Sequence, residues 1–159
     1  MAAAVQELLH APRMAQLEDV AALVTLSGRL VREAEGVAPS PLFLQRTQDL
    51  TIDALRDPDC RIFLVEAGAP PVAIATLRVE IRRSGASAPA LGFITEVFVE
   101  PPYRRRGLTR SLLARAEGFL REQEIAEVRL ETQLGHAAAE TFWRKQGFQA
   151  FRAVWRRGI

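Results

Sequence analysis

Over residues 17–34, Val20, Leu23, Val24, Leu30 and Val31 recur at three- and four-residue steps, the spacing of one apolar helix face. Residues 36–41 break that pattern with Gly36, Pro39 and Pro41, and a second helix, expected to be irregular, follows over 42–55, ending before Pro58. The period then changes. Residues 61–67 and 72–81 are dense in Val, Ile, Leu and Phe and are separated by Gly68, Pro70 and Pro71, which predicts two strands joined by a turn. A polar loop over 83–89 leads into a third strand at 91–99, stopped by Pro101 and Pro102, which offer no ladder donor. Before all of these, residues 5–14 are expected to form a short first strand.

Beyond the prolines the helical period returns, with Leu108, Leu112, Leu113, Ala116, Phe119 and Leu120 on one face. Residues 128–132 then read as a strand, and 148–156 as a final strand. A helix between the strands at 91–99 and 128–132 permits a right-handed crossover, so those two can run parallel while the preceding strands form an antiparallel meander. The expected fold class is α/β, with a central mixed sheet and helices on both faces. There is no repeat, linker or low-complexity tail, and one domain over 1–159 is expected, with 1–60 covering one side of the sheet.

Bulk composition narrows the class further. A chain of 159 residues that is 48% hydrophobic and 25% charged suits a globular domain with a sizeable core. No basic start followed by an uninterrupted apolar run opens the chain, and nothing approaches a bilayer span, so a cytoplasmic protein with no membrane partner is expected. Cys60 is the single cysteine, which excludes an internal disulfide and a cysteine-based metal cluster; no metal-ligand spacing or P-loop is present. Cys60 reads as structural, without a neighbouring base. The net charge of +2 hides an asymmetry: residues 1–59 carry nine acids and five bases, residues 101–159 six acids and twelve bases. Nearly all the bases are arginine, which suits bidentate contacts to phosphate.

The richest chemistry lies at the junction of strand and helix, where Arg104, Arg105, Arg106 and Gly107 precede the first helical residue. A helix start leaves backbone N–H groups unpaired and carries partial positive charge; a glycine lets a polyanion approach the backbone, and arginines neutralise it from outside. Arg104-Arg-Arg-Gly107-Leu-Thr109, after a strand carrying Val99 and Pro101, resembles the acetyl-coenzyme A signature of the GNAT superfamily of N-acetyltransferases. The strand at 128–132 and the run from Ala138 to Gly147-Phe148 follow in the family's order. The resemblance covers residues 91–148, the expected acetyl-CoA-binding core. A surface cluster, or a patch for the phosphates of nucleic acid, is the plainer alternative for the arginines. Their order between strand and helix favours coenzyme A, and no nucleic-acid partner is expected.

The resemblance implies an acyl-CoA N-acyltransferase fold, acetyl-CoA as cosubstrate with no metal, and direct attack by a primary amine. It places Val97, Phe98 and Val99 along the pantetheine arm, with strand amides near Val97 polarising the carbonyl, and Arg104, Arg105, Arg106, Gly107, Leu108 and Thr109 around the pyrophosphate. Thr109 replaces the usual Gly or Ala and is expected to be tolerated. Glu96 stands at the position of the family's general base. Strand alternation puts it in an apolar strip with Ile94 and Phe98, where desolvation would lift its pKa toward that task; the alternative is a structural glutamate paired with an arginine of the next strand. At the closing helix the chain has His136 and Trp143 where the family has Asn and Tyr. An indole is no usable acid, and three readings stand. His136 supplies the proton as a catalytic group or contacts the cofactor; the thiolate leaves unassisted; or the domain binds the cofactor without turnover, as a sensor or partner-binding module. Trp143 reads as packing against the cofactor arm or the core. The acceptor, a small-molecule or peptide amine, is expected between residues 28–57 and the final strand, and Glu33, Glu35, Asp49 and Asp53 hint at a cationic one. A homodimer is compatible with the family; no residue demands it.

Overall fold

The computed structural model describes residues 8–132 and 137–158. Five strands form one sheet in the order β1-β2-β3-β4-β5. Strands β1 (Arg13–Met14), β2 (Cys60–Ala67), β3 (Val72–Arg82) and β4 (Leu91–Val99) pair antiparallel in sequence order, and β5 (Val128–Leu130) lies parallel to β4. Helix α3 (Leu108–Glu122) makes the crossover; α1 (Val20–Glu35) and α2 (Pro41–Arg56) precede β2, and α4 (Ala137–Lys145) follows β5. The mixed sheet with helices on both faces is thus observed.

Local chemistry sets the helix limits. Ser40 Oγ accepts the Phe43 N–H at 3.1 Å and Pro41 occupies the first turn of α2, where its missing donor costs nothing. Gly36, at φ 71°, ends α1 with its N–H on the Arg32 carbonyl. Contrary to the sequence expectation, α2 is a continuous 16-residue helix. Arg13 of β1 binds the carboxylates of Asp19 and Glu66, each at 2.8 Å, fastening the turn before α1 to β2. Asp19 also accepts the Gln16 N–H at 2.7 Å.

Alternation along the strands divides the core. Cys60, Ile62 and Leu64 pack with Leu23 and Ala54 on the α1/α2 face. Phe63, Val65, Leu77 and Val79 pack with Leu112, Ala116 and Leu120 of α3 on the other. β4 does not alternate throughout. Arg78 pairs with Glu96 but Val79 pairs with Ile94, so Thr95 is an extra residue, a β-bulge. Ile94 therefore points into the α3 core, while Glu96 points to α1. The expected shared face of Ile94 and Glu96 is corrected by this bulge, which simple alternation cannot anticipate.

The ends also differ from expectation. The first strand reduces to Arg13–Met14 and an isolated bridge between Leu9 and Ala67; residues 1–7 lie outside the described part. The final strand expected over 148–156 is absent: residues 148–158 take no regular structure. Phe151, Val154 and Trp155 are 65%, 79% and 92% exposed, so their apolar pattern finds no face to bury against and strand pairing gains nothing from packing. No described helix is long and apolar enough to cross a membrane.

Candidate active site

The parallel pairing of β4 and β5 ends at Ile94 and Leu130. Beyond it the strands part, and a cavity of about 510 Å³ opens between β4, the start of α3 and α4. Glu96, Val97, Phe98 and Val99 supply one wall, Arg104, Arg105, Gly107, Leu108 and Thr109 the end, and Phe142 and Trp143 the far side. Residues 97 and 99 are paired with Leu77 and Ala75 on their β3 side only. The opposite backbone edge of β4 past Ile94 is left for an extended ligand, which can add itself as a strand.

At the far end the backbone itself forms a cradle. Arg105 at φ 62° and Gly107 at φ 78° both occupy the left-handed region, flanking Arg106. Alternation of this kind turns successive N–H groups toward one concavity, and the first amides of α3 add to it without intrahelical acceptors. A Cβ built on Gly107 meets nothing within 4 Å, so the space above it is open. These features fit a pyrophosphate.

The arginines divide into different jobs. Arg104 is held: its Nε donates to the Val99 carbonyl at 2.9 Å and its Nη2 to Glu33 at 2.5 Å, tying the turn to α1. Arg29 of α1 also pairs with Glu100 just beyond β4. Arg106 does not line the cavity; its guanidinium lies 5.4 Å from the ring of Tyr103, which does. Arg105 and Arg110 face the cavity.

Glu96 is largely buried and accepts the Ser27 hydroxyl on both oxygens, at 2.9 and 3.0 Å. Burial pushes its carboxyl above the ordinary glutamate range, opposed by the Ser27 hydrogen bond and by the charge of Arg78. Ser27 escaped the sequence reading. Its signal was a polar residue on the apolar face of α1, four positions after Leu23, where a buried hydroxyl needs a partner. Trp143 stacks edge-on against Phe142 and Phe148, with centroids 5.0 and 5.2 Å away, and thus packs into the wall. His136 lies outside the described residues. Among the described residues there is no group of three His, Cys, Asp or Glu side chains able to hold a metal ion.

A second cavity of about 210 Å³ lies between α1, α2 and the sheet. Glu96 and Leu30 line both cavities, so the two meet at the carboxylate. Of the acids that hinted at a cationic acceptor, Glu33 is bound to Arg104 on the first cavity, and Glu35, Asp49 and Asp53 line neither.

The family model described as "Acetyltransferase (GNAT) family" matches residues 29–148. No curated protein matches in sequence. Among solved structures, the predicted acetyltransferase of Clostridium acetobutylicum, determined with acetyl-CoA, is similar with a TM-score of 0.79 at 19% identity, over 95% of this chain and 96% of that one. The aminoglycoside N-acetyltransferase AAC(6')-Iy in complex with CoA has a TM-score of 0.78 at 16% identity, with 98% of each chain covered. A possible acetyltransferase of Clostridium difficile 630 gives 0.76 at 16% identity, over 96% of this chain and 99% of that one.

Proposed function

From the premise that this chain belongs to the GNAT acetyltransferase family, we propose that it transfers the acetyl group of acetyl-CoA to a primary amine by direct attack, with Glu96 as general base. The observation that carries the reading is the meeting of two cavities at one buried carboxylate. The larger holds acetyl-CoA, which supplies an activated acetyl group; the smaller admits the amine. The Gly107 turn and the first amides of α3 bind the pyrophosphate, Arg105 and Arg110 neutralise it, and the free edge of β4 aligns the pantetheine arm.

A primary amine is largely protonated at neutral pH and attacks only after losing a proton. Glu96 takes that proton, directly or through a water, and its environment lifts its pKa toward the working pH. Strand amides near Val97 are the donors for the carbonyl oxygen as negative charge develops. Trp143 offers an N–H donor but no transferable proton. The departing thiolate, whose thiol ionises near pH 8.5 or so, takes its proton from solvent.

Calorimetric titration with acetyl-CoA, with free CoA and ATP as controls, tests the cofactor half. Micromolar binding that depends on the pantetheine arm is expected, and binding no tighter than that of ATP would refute it. Amine-dependent thiol release tests transfer. Tight CoA binding without release for any amine would point to a binding module.

A further inference from the structure

We infer that the acceptor is a small monoamine with an apolar body, inserted between α1 and α2 with its nitrogen toward Glu96 and carrying no second positive charge. The inference rests on the transferase reading above and concerns the smaller cavity.

Size is the first argument. At about 210 Å³ the cavity is below the ~300 Å³ at which pockets for drug-sized ligands begin. It accommodates an aromatic ring or branched alkyl group on a short arm, whereas linked sugar rings would have to extend past the rim at Leu50 into solvent.

Its lining is the second. Leu23, Val31, Phe43, Leu50 and Ile62 make most of the wall. Its hydroxyls are largely committed: Ser27 to Glu96, Thr47 to the Phe43 carbonyl at 2.8 Å and Thr51 to the Thr47 carbonyl at 2.7 Å. With those protons already donated, a polyhydroxylated acceptor would set most of its hydroxyls against apolar side chains.

Charge is the third. Among the described residues, the only charged ones in the lining are Glu96 and Arg78. Arg78 stands opposite Glu96 on β3, and its Nη2 is paired with Glu80 at 2.9 Å. Arg78 Nε is buried without a partner, so Glu80 answers its charge only in part and that charge also bears on Glu96. A polyamine would bring its second ammonium against apolar side chains and Arg78.

The test compares phenethylamine with spermidine and neamine by thiol release at saturating acetyl-CoA. Phenethylamine should exceed each of the others at least about tenfold in kcat/KM. Spermidine or neamine matching or surpassing it would overturn the inference. Binding gives a reading independent of turnover. Calorimetry of the CoA-saturated protein should detect phenethylamine and not spermidine or neamine, and the reverse would refute the inference. Leu50 is 60% exposed at the rim, so Leu50→Asp should fold normally. It should weaken phenethylamine binding several-fold while leaving the acetyl-CoA Kd unchanged; unaltered amine binding would show that the acceptor lies elsewhere. Selective amine binding without acetyl transfer would sink the reaction and keep the cavity assignment.

Discussion

The two cavities that meet at Glu96 are built from different materials. The larger is framed mostly by backbone: a splay between parallel strands, a left-handed turn and the open end of α3. The smaller is framed by side chains that α1 and α2 lay over the sheet. Backbone geometry survives wide changes of sequence, which accounts for TM-scores of 0.76–0.79 at 16–19% identity. A side-chain cavity changes with every substitution. Under the proposed function, the common chemistry resides in one half and the choice of acceptor in the other.

The sharpest way to break this division is at the shared wall. Glu96→Gln should lower kcat by about 100-fold or more while acetyl-CoA affinity stays unchanged, and it should abolish the acidic limb of the pH–rate profile, which steady-state rates across pH will show. It should not destabilise the protein at pH 8. A carboxyl whose folded pKa is raised binds more protons folded than unfolded, so its ionisation subtracts stability as pH rises through the window between the two values. A thermal melt checks this sign.

Gly107→Val attacks the backbone-built half. At φ 78° a β-branched residue is strained, and its side chain would project into the cradle. Loss of charge-assisted hydrogen bonds should raise the acetyl-CoA Kd by about 100-fold, measured by calorimetry. Amine binding should survive.

Arg13→Met loosens the mounting of α1 on the acceptor side. Stability should fall by about 1–3 kcal/mol in denaturant titration, since two carboxylates lose their common partner and the arginine is partly solvent-screened. Arg13 holds Asp19 and Glu66 below the ordinary carboxylate range. That stability is present above the unfolded carboxylate pKa and lost as pH falls through the lower folded values, so parent and variant should converge at acid pH.

Ser27→Ala is the smallest step. Its hydroxyl favours the charged form of Glu96, so removing it should move the acidic limb to higher pH. The rate at pH 7 should fall by less than about tenfold, with acetyl-CoA affinity untouched.

The same division governs what could be read from the chain. Helices α1–α3 and strands β2–β5 were legible because their apolar periods and breakers agree, and the Arg104–Thr109 turn because glycine and arginine mark its backbone. The β-bulge was not, since nothing in Ile94-Thr95-Glu96 announces an extra residue; it exists because β3 and β4 must shift register. The committed role of Arg104 follows from packing against Glu33, 71 residues away, and the absence of Asp49 and Asp53 from the cavity lining from which face of α2 meets the sheet. The tail at 148–158 shows the converse: apolar alternation without a surface to cover yields no strand.

Thr95 itself carries a lesson about mutational tolerance. It is exposed at the wall of the larger cavity, so replacing it by another small residue such as Ser should be nearly silent. Deleting it should not, because that one codon keeps two reading frames of the strand apart. Ile94 packs into the α3 core and Glu96 turns to Ser27 on α1, and closing the gap would force one of the two onto the wrong side.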